Sequence, residues 1–133
     1  MIAKRLNHFC HINIVNELDY KIKKNETWIL MKYMPTNLMD FYIRTRKNPN
    51  AMNERFFINI AHQKLSGINN YHPEQIIHCD IKLENLLYDE KNNFVKIGNF
   101  DLNPLLYYKL GIEYTIDIGG LHYKPPEILL SLK

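Results

Sequence analysis

The sequence is poor in the features that define several classes of protein. It holds two cysteines, Cys10 and Cys79, far apart in the chain. We therefore expect a reduced intracellular setting and no disulfide scaffold. No apolar run approaches the roughly 20 residues that span a bilayer. The first five residues lack the apolar core of a signal peptide. These absences predict a cytoplasmic protein, with the nucleus as the alternative, and no membrane contact.

The chain also has little excess of either sign of charge. The chain holds 17 Lys and Arg against 14 Asp and Glu, a formal net charge of +3. The basic residues are dispersed, with small groups in a predicted turn over residues 21–24 and near the end of a predicted helix at residues 44–47. A nucleic-acid site would need a denser basic surface. We therefore predict solvated charges and no nucleic-acid partner.

His8, Cys10 and His11 lie close together near the amino terminus, a grouping that could indicate a metal site. A structural zinc ion needs four ligands in two spaced pairs, and no second pair is apparent. The pattern favours a loop with incidental histidines.

Hydrophobic patterning in the first third predicts two strands and a helix. The strands, over residues 18–22 and 27–33, are joined by a polar turn. A short helix over residues 38–44 follows, with Asn37 as its N-cap. The chain of 133 residues, 46% of them hydrophobic, suffices for one domain with a modest core.

A longer helix is predicted to begin after Asn53 and to end before Pro73. Apolar residues recur along it at spacings of three and four, which predicts a face that packs in the core. The predicted face consists of Phe57, Ile60, Ala61, Lys64, Leu65, Ile68 and Tyr71.

The stretch over residues 78–101 holds the most concentrated polar chemistry. An acid, a base and an amide, Asp80, Lys82 and Asn85, stand at offsets of two and three. These offsets fit no single helix face. An irregular loop between short strands would instead bring the three side chains to one site.

Apolar residues on both sides supply those strands. Ile76-Ile77 is predicted to form the strand before the loop, and residues 86–88 the strand after it. Residues 89–93 then form the turn of a hairpin that returns through residues 94–97.

This stretch resembles the catalytic loop of the protein kinases, H-R-D-L-x-x-x-N, which is followed by a hairpin and D-F-G. Here the loop begins with residues 78–81 and continues through Lys82 and Asn85, and the second motif reads Asn99-Phe100-Asp101. Downstream, Pro125-Pro126-Glu127 stands where A-P-E is expected. The chain is similar to the Ser/Thr kinases, above all to the cyclin-dependent branch.

The resemblance implies an α+β fold and a partial kinase-like domain over residues 1–133. Residues 1–34 correspond to the end of the N-lobe, with two strands and the hinge. Residues 35–133 correspond to the first half of the helical C-lobe, with the catalytic-loop hairpin and the activation segment.

The resemblance also implies roles for the residues of the loop. Asp80 matches the acceptor of the substrate hydroxyl proton, and Lys82 the group that approaches the transferred phosphate. Asn85 matches a magnesium ligand, and Asn99 stands at the position of the metal-binding aspartate. ATP and Mg²⁺ are the cofactors that the family implies.

Other matched positions concern adenine and regulation. Met31 falls at the gatekeeper position, Lys32 and Met34 would offer hinge backbone groups to adenine, and Leu87 would form an apolar floor beneath it. Thr115 lies near the position of an activating phosphothreonine. The end of the activation segment is matched by Pro126 and Glu127.

Four departures from the family pattern predict an inactive chain. An amide, Asn99, replaces the metal-binding carboxylate, and Asp101 replaces the glycine of that motif. Cys79 replaces an arginine that meets an activation-loop phosphate. The chain also shows no Gly-rich loop, V-A-I-K lysine or partner glutamate before the catalytic loop. We therefore expect a truncated pseudokinase that is inactive on its own.

Two alternatives stay open. In the first, the chain is a non-catalytic interaction module that binds a kinase, a cyclin-like partner or a substrate. In the second, it is half of an active kinase, completed in trans by an N-lobe. In each case we expect a protein partner to cover the incomplete C-lobe, where the long helix would otherwise leave apolar side chains uncovered.

Overall fold

The computed structural model describes residues 11–24, 26–74, 76–100 and 120–130. Their strands and helices, in chain order, are β1 (Glu17–Lys23), β2 (Glu26–Met31), β3 (Thr36–Asn37), α1 (Leu38–Thr45), α2 (Glu54–Tyr71), β4 (Leu86–Asp89), β5 (Phe94–Ile97) and α3 (Pro126–Leu130). Short 3₁₀ turns lie at His72–Glu74, Leu83–Asn85 and Leu121–Tyr123. The mixture of small sheets and helices confirms the predicted α+β fold.

The strands form two separate antiparallel sheets. Among the described residues β1 pairs with β2, whereas β3, β4 and β5 form a three-stranded sheet in that order. The segment before β1 joins the second sheet through a parallel bridge between Ile14 and Ile97. Two backbone hydrogen bonds flank this bridge, from Val15 N–H to the Ile97 carbonyl at 2.9 Å and from Ile97 N–H to the Asn13 carbonyl at 2.8 Å.

The core lies where α2 packs on β5. Its buried apolar residues are Ile14, Leu38, Phe41, Ile60, Tyr71, Ile76, Leu86, Tyr88, Val95, Ile97 and Phe100. Gly67 allows the helix to approach closely, because a Cβ atom there would lie 2.9 Å from Ile97 Cδ1 and 3.0 Å from the Asn13 carbonyl oxygen. The small residue therefore fixes how α2 sits on the sheet.

Both helix starts predicted from asparagine caps are confirmed. The side chain of Asn37 accepts a hydrogen bond from Asp40 N–H at 2.9 Å, and Asn53 accepts one from Phe56 N–H at 2.9 Å. These bonds satisfy backbone donors that the first helical turn leaves unpaired. The predicted hairpin of residues 86–97 is likewise formed, as β4 and β5.

The predicted core face of α2 is partly wrong. Ile60 and Tyr71 are buried as predicted, but Phe57 and Leu65 are 57% and 59% exposed, and Ala61 is exposed as well. Ile68 packs against the core as predicted, and the other residues that α2 turns inward are Phe56, Ile60, Gln63, Gly67 and Tyr71. The helix takes this rotation because Gly67 is the position at which β5 approaches its backbone.

Two strand predictions also need correction. Ile76-Ile77 forms no strand, because a strand needs a hydrogen-bonded neighbour; Ile76 enters the core from an irregular segment, and Ile77 is exposed. β2 ends at Met31 and not at residue 33. Its partner β1 begins at Glu17, so only one further bond extends the pairing, from Lys32 N–H to the Asn16 carbonyl at 3.4 Å.

In the part of the chain that the structure describes, no helix is both long and apolar enough to cross a bilayer.

Candidate functional site

The segment between α2 and β4 carries polar side chains into the interior. Asp80 and Asn85 are 7% and 6% exposed. Asp80 Oδ2 accepts hydrogen bonds from Lys82 Nζ at 2.8 Å and from Asn85 Nδ2 at 2.8 Å. Asn85 Nδ2 also donates to the Asp80 backbone carbonyl at 2.7 Å. The loop thus brings together the acid, the base and the amide that the sequence placed at uneven offsets.

The charges of the loop stabilise each other. Burial alone would raise the pKa of Asp80, but hydrogen bonds from Lys82 and Asn85, the positive charge of Lys82 and the Gly120 backbone N–H together lower that pKa below its ordinary value. The hydrogen bond to Asp80 in turn raises the pKa of Lys82. At neutral pH the pair is therefore a carboxylate and an ammonium group in contact.

His78 connects this loop to the end of β5. Its Nδ1 accepts a hydrogen bond from Asp80 N–H at 3.2 Å, so in the neutral ring the proton is on Nε2, which donates to the Gly98 carbonyl at 2.8 Å. The ring also lies against Phe100, with centroids 4.6 Å apart. Cys79 between these residues takes a left-handed backbone conformation, φ 65°, which turns the chain toward Asp80.

Asn99 meets the loop from the other side. Its Nδ2 donates to Asn85 Oδ1 at 3.2 Å, and its backbone is left-handed, φ 61°. Asparagine is among the residues that tolerate this conformation. The two positions where the family pattern implies metal ligands are therefore adjacent, and they are bonded to each other.

The donor set that the described residues form at this point does not fit Mg²⁺. That ion prefers near-octahedral oxygen coordination that includes one or two carboxylates. The Asp80 carboxylate is engaged by Lys82 and Asn85, and the one side-chain oxygen of Asn85 faces the Asn99 amide nitrogen. Among residues 11–24, 26–74, 76–100 and 120–130, no three His, Cys, Asp or Glu side chains cluster closely enough to hold a metal ion.

A cavity of about 280 Å³ opens between the β1–β2 hairpin and the end of β5. The residues that line it are Val15, Glu17, Ile29, Met31, Glu84, Asn85, Leu87, Gly98, Asn99 and Phe100. Of the positions predicted to hold adenine, Met31 and Leu87 line this cavity. Lys32 and Met34 are not among its lining residues, and the Lys32 N–H already bonds to the Asn16 carbonyl.

The lining of the cavity suits one part of a nucleotide and not the other. Its apolar walls would accept a flat ring, and its volume lies just below the usual range of about 300–1,000 Å³ for ligand sites. Its described lining includes two acidic side chains, Glu17 and Glu84, and neither Lys nor Arg. Along the described wall, a triphosphate would therefore meet two acidic side chains and no Lys or Arg.

Of the predicted activation segment, the structure describes the last part, from Gly120 onward. Gly120 N–H contributes a hydrogen bond to the Asp80 carboxylate. Pro126 begins α3, a position that proline favours, and the backbone of Glu127 belongs to the same helix. Thr115 and Asp101 lie outside the described residues, so the predictions for them stay predictions.

Sequence reasoning missed two amides that hold β5 in place. Asn13 Nδ2 donates to the Val95 carbonyl at 2.9 Å and to Gln63 Oε1 at 3.1 Å, and that same oxygen accepts Val95 N–H at 2.8 Å. A polar residue inside the apolar run of residues 12–15 was the available signal for Asn13. Glu17 and Glu84 in the cavity wall carried no such signal.

Comparisons with known proteins agree with this geometry. The sequence model of the protein kinase domain matches residues 2–133. The serine/threonine-protein kinase CLA4 of Candida albicans is 35% identical over 120 residues, 90% of this chain and 12% of that protein. Cyclin-dependent kinase 1 of Encephalitozoon cuniculi is 29% identical over 128 residues, 96% of this chain and 43% of that protein.

The chain thus spans less than half the length of these two relatives. Its match to the family model nevertheless covers almost every residue, including those around Asp80 and Asn85. The chain belongs to the protein kinase family and is similar to its serine/threonine kinases.

Proposed function

We propose that this chain is a pseudokinase, a kinase-family protein that keeps the form of the catalytic loop but does not transfer phosphate by itself. One observation carries the proposal: the Asn99 amide bonds to the Asn85 oxygen at 3.2 Å, where the family pattern requires a carboxylate and a metal ion. An amide supplies no charge to hold Mg²⁺ against phosphate.

Phosphoryl transfer depends on positioning and on neutralising the charge of the phosphates. When bound, ATP with Mg²⁺ would supply the phosphoryl group and most of that neutralisation. In this chain the Lys82 ammonium is paired with Asp80 at 2.8 Å, so little positive charge is left for a phosphate. Asp80 itself has a lowered pKa and can accept a hydrogen bond from a hydroxyl group, but it is already engaged. The catalytic loop therefore keeps the acid, the base and the amide in place, but it lacks the free positive charge that would neutralise the phosphates.

The same reasoning applies to the cavity. Its apolar wall supports binding of an adenine ring, while Glu17 and Glu84 disfavour the triphosphate. We propose that adenosine binds at least as well as ATP. Competition of adenosine and of ATP with a fluorescent adenine analogue would check this. A clear preference for ATP would contradict the claim that the acidic side chains disfavour the triphosphate.

Incubation with radiolabelled ATP and Mg²⁺ tests the proposed lack of activity. No label should enter the protein or a basic substrate protein above the level of an Asp80→Ala control. Incorporation by the unaltered chain that Asp80→Ala abolishes would overturn the proposal.

A second candidate is an interaction module for a kinase, a cyclin-like protein or a substrate. It is favoured by apolar side chains that the structure leaves on the surface, among them Trp28 and Leu30 of the hairpin at 58% and 59% exposure, and Phe57 and Leu65 of α2. Such patches are typical of partner surfaces. Binding to a candidate kinase should weaken at least tenfold with Trp28→Ser and should be unchanged by Asp80→Asn. Equal effects of both substitutions would contradict this candidate.

A third candidate is a kinase half completed by an N-lobe from another chain. Fusion of an N-lobe with its Gly-rich loop and lysine tests it directly. We expect no turnover while Asn99 is present, and measurable turnover only with Asn99→Asp, together with Asp101→Gly. Turnover by the fusion with Asn99 intact would replace the pseudokinase proposal by the split-kinase one.

A further inference from the structure

The orientation of the Asn85 side chain is fixed by its acceptors. Asn85 Nδ2 faces the backbone carbonyl and the carboxylate of Asp80, at 2.7 and 2.8 Å, and both of these groups only accept hydrogen bonds. The opposite orientation would place the Asn85 oxygen against two other oxygens in a buried site. Asn85 Oδ1 must therefore point away from Asp80, toward the end of β5.

The group opposite Asn85 Oδ1 must then be a hydrogen-bond donor or a cation. Because Asn85 is 6% exposed, a side-chain oxygen without either partner would carry an uncompensated desolvation cost. In this structure Asn99 Nδ2 occupies the place, at 3.2 Å. The left-handed backbone at Asn99 aims the amide into the loop.

We infer that the Asn99 amide takes the structural place of a metal ion, joining the catalytic loop to the end of β5 without a bound metal. A chain of hydrogen bonds runs from Asn99 through Asn85 to Asp80 and Lys82, and each donor meets an acceptor along it. The inference rests on the proposed pseudokinase function. It adds that a hydrogen bond between two amides replaces the contact that a metal ion would make.

Substitution Asn99→Asp isolates this claim, because aspartate has the same shape and also tolerates a left-handed backbone. It replaces the donor by an acceptor, so two oxygens would face each other at the place of the 3.2 Å bond. The variant should therefore be less stable without a divalent cation and should regain stability with one. Unaltered protein should show neither effect.

The experiment follows thermal unfolding of the unaltered 133-residue chain and of Asn99→Asp, in chelator and in millimolar MgCl₂. Loss of one hydrogen bond in a chain of this size predicts a melting temperature lowered by roughly 4 °C in chelator. Magnesium should recover at least half of that loss in the variant. An NaCl control at equal ionic strength separates metal binding from screening.

Two further variants serve as controls. Asn99→Gly removes the amide but keeps the backbone freedom, and it should lose stability that Mg²⁺ does not restore. Asn50→Asp, in the turn between α1 and α2, makes the same charge change away from the site and should show no magnesium effect. Magnesium rescue of either control would overturn the inference.

The remaining outcomes separate the two proposals. If Asn99→Asp is as stable in chelator as the unaltered chain, the inference fails and the pseudokinase proposal stands. If Mg²⁺ stabilises the unaltered chain, both fail. Should Asn99→Asp not fold in any buffer, NMR of the unaltered protein decides: the Asn99 side-chain NH₂ resonances must not shift on addition of Mg²⁺, and a shift would overturn the inference.

Discussion

The two sheets of this molecule have the same kind of backbone pairing but differ in what covers them. In β4 and β5, alternate side chains are buried, namely Leu86, Tyr88, Val95 and Ile97. In β1, five of seven residues are exposed, and β2 exposes Trp28 and Leu30. A two-stranded hairpin without a hydrophobic face is marginally stable in water. Burial and not hydrogen bonding therefore distinguishes the two regions.

This difference divides the cavity into two walls. Leu87, Gly98 and Phe100 come from the covered side, whereas Ile29 and Met31 come from the hairpin. Regions with few buried apolar contacts open at lower free energy than the core. The loop around Asp80 belongs to the covered side, so the chemistry of the site rests on the stable region and the hairpin can adapt.

The largest expected effect compares one core side chain with one on the hairpin. Ile97→Ala removes a fully buried side chain from β5 and should lower the free energy of unfolding by about 2–5 kcal/mol. Leu30→Ala, on the exposed face of β2, should change it by less than about 0.5 kcal/mol. Urea unfolding measures both. Similar losses at the two positions would show that the hairpin is packed as firmly as the sheet.

A smaller effect is expected at the contact between α2 and β5. Alanine is ordinarily the better helix former by about 1 kcal/mol. In Gly67→Ala, however, the new methyl group would lie 2.9 Å from Ile97 Cδ1, and overpacking should cost about 1–3 kcal/mol. Asn69→Ala, at an exposed position of the same helix, is the matched control and should be neutral or slightly stabilising. A stabilising Gly67→Ala would mean that the helix does not lie so close.

The pH dependence of stability tests how much the Asp80 carboxylate stabilises the covered loop. The folded pKa of Asp80 lies below its ordinary value of 3.8, so its contribution is present above that value and is lost as the pH falls through the folded pKa. The unaltered chain should exceed Asp80→Asn in stability by about 1 kcal/mol at neutral pH, and the gap should close in acid. Chemical unfolding at several pH values measures the gap. A gap that does not narrow as the solution is acidified would contradict the role of the carboxylate.

Local signals in the sequence predicted much of the covered region. Asn37 and Asn53 cap helices because the bond they make lies within one turn, and the hairpin of β4 and β5 depends on a short polar turn. The rotation of α2 was not predictable in this way. It depends on Gly67 meeting β5, a contact between residues distant in sequence.

The same limit applies within the candidate site. The sequence indicated that Asp80, Lys82 and Asn85 would converge, because no regular helix could place them on one face. It could not indicate that Asn99 bonds to Asn85, since this depends on which way a buried amide is turned by Asp80. The strand predicted at Ile76-Ile77 failed for a related reason: its apolar residues reach the core without a partner strand.

Isothermal titration calorimetry with ATP, in Mg²⁺ and in chelator, tests directly whether the site is organised without metal. Binding should be weak, on the order of millimolar or about −4 kcal/mol, with the same affinity in both buffers. The reason is that Asn85 and Asn99 bond to each other, and neither side chain supplies a carboxylate to hold the ion on the phosphates. Micromolar binding in Mg²⁺ that is lost in chelator would contradict it.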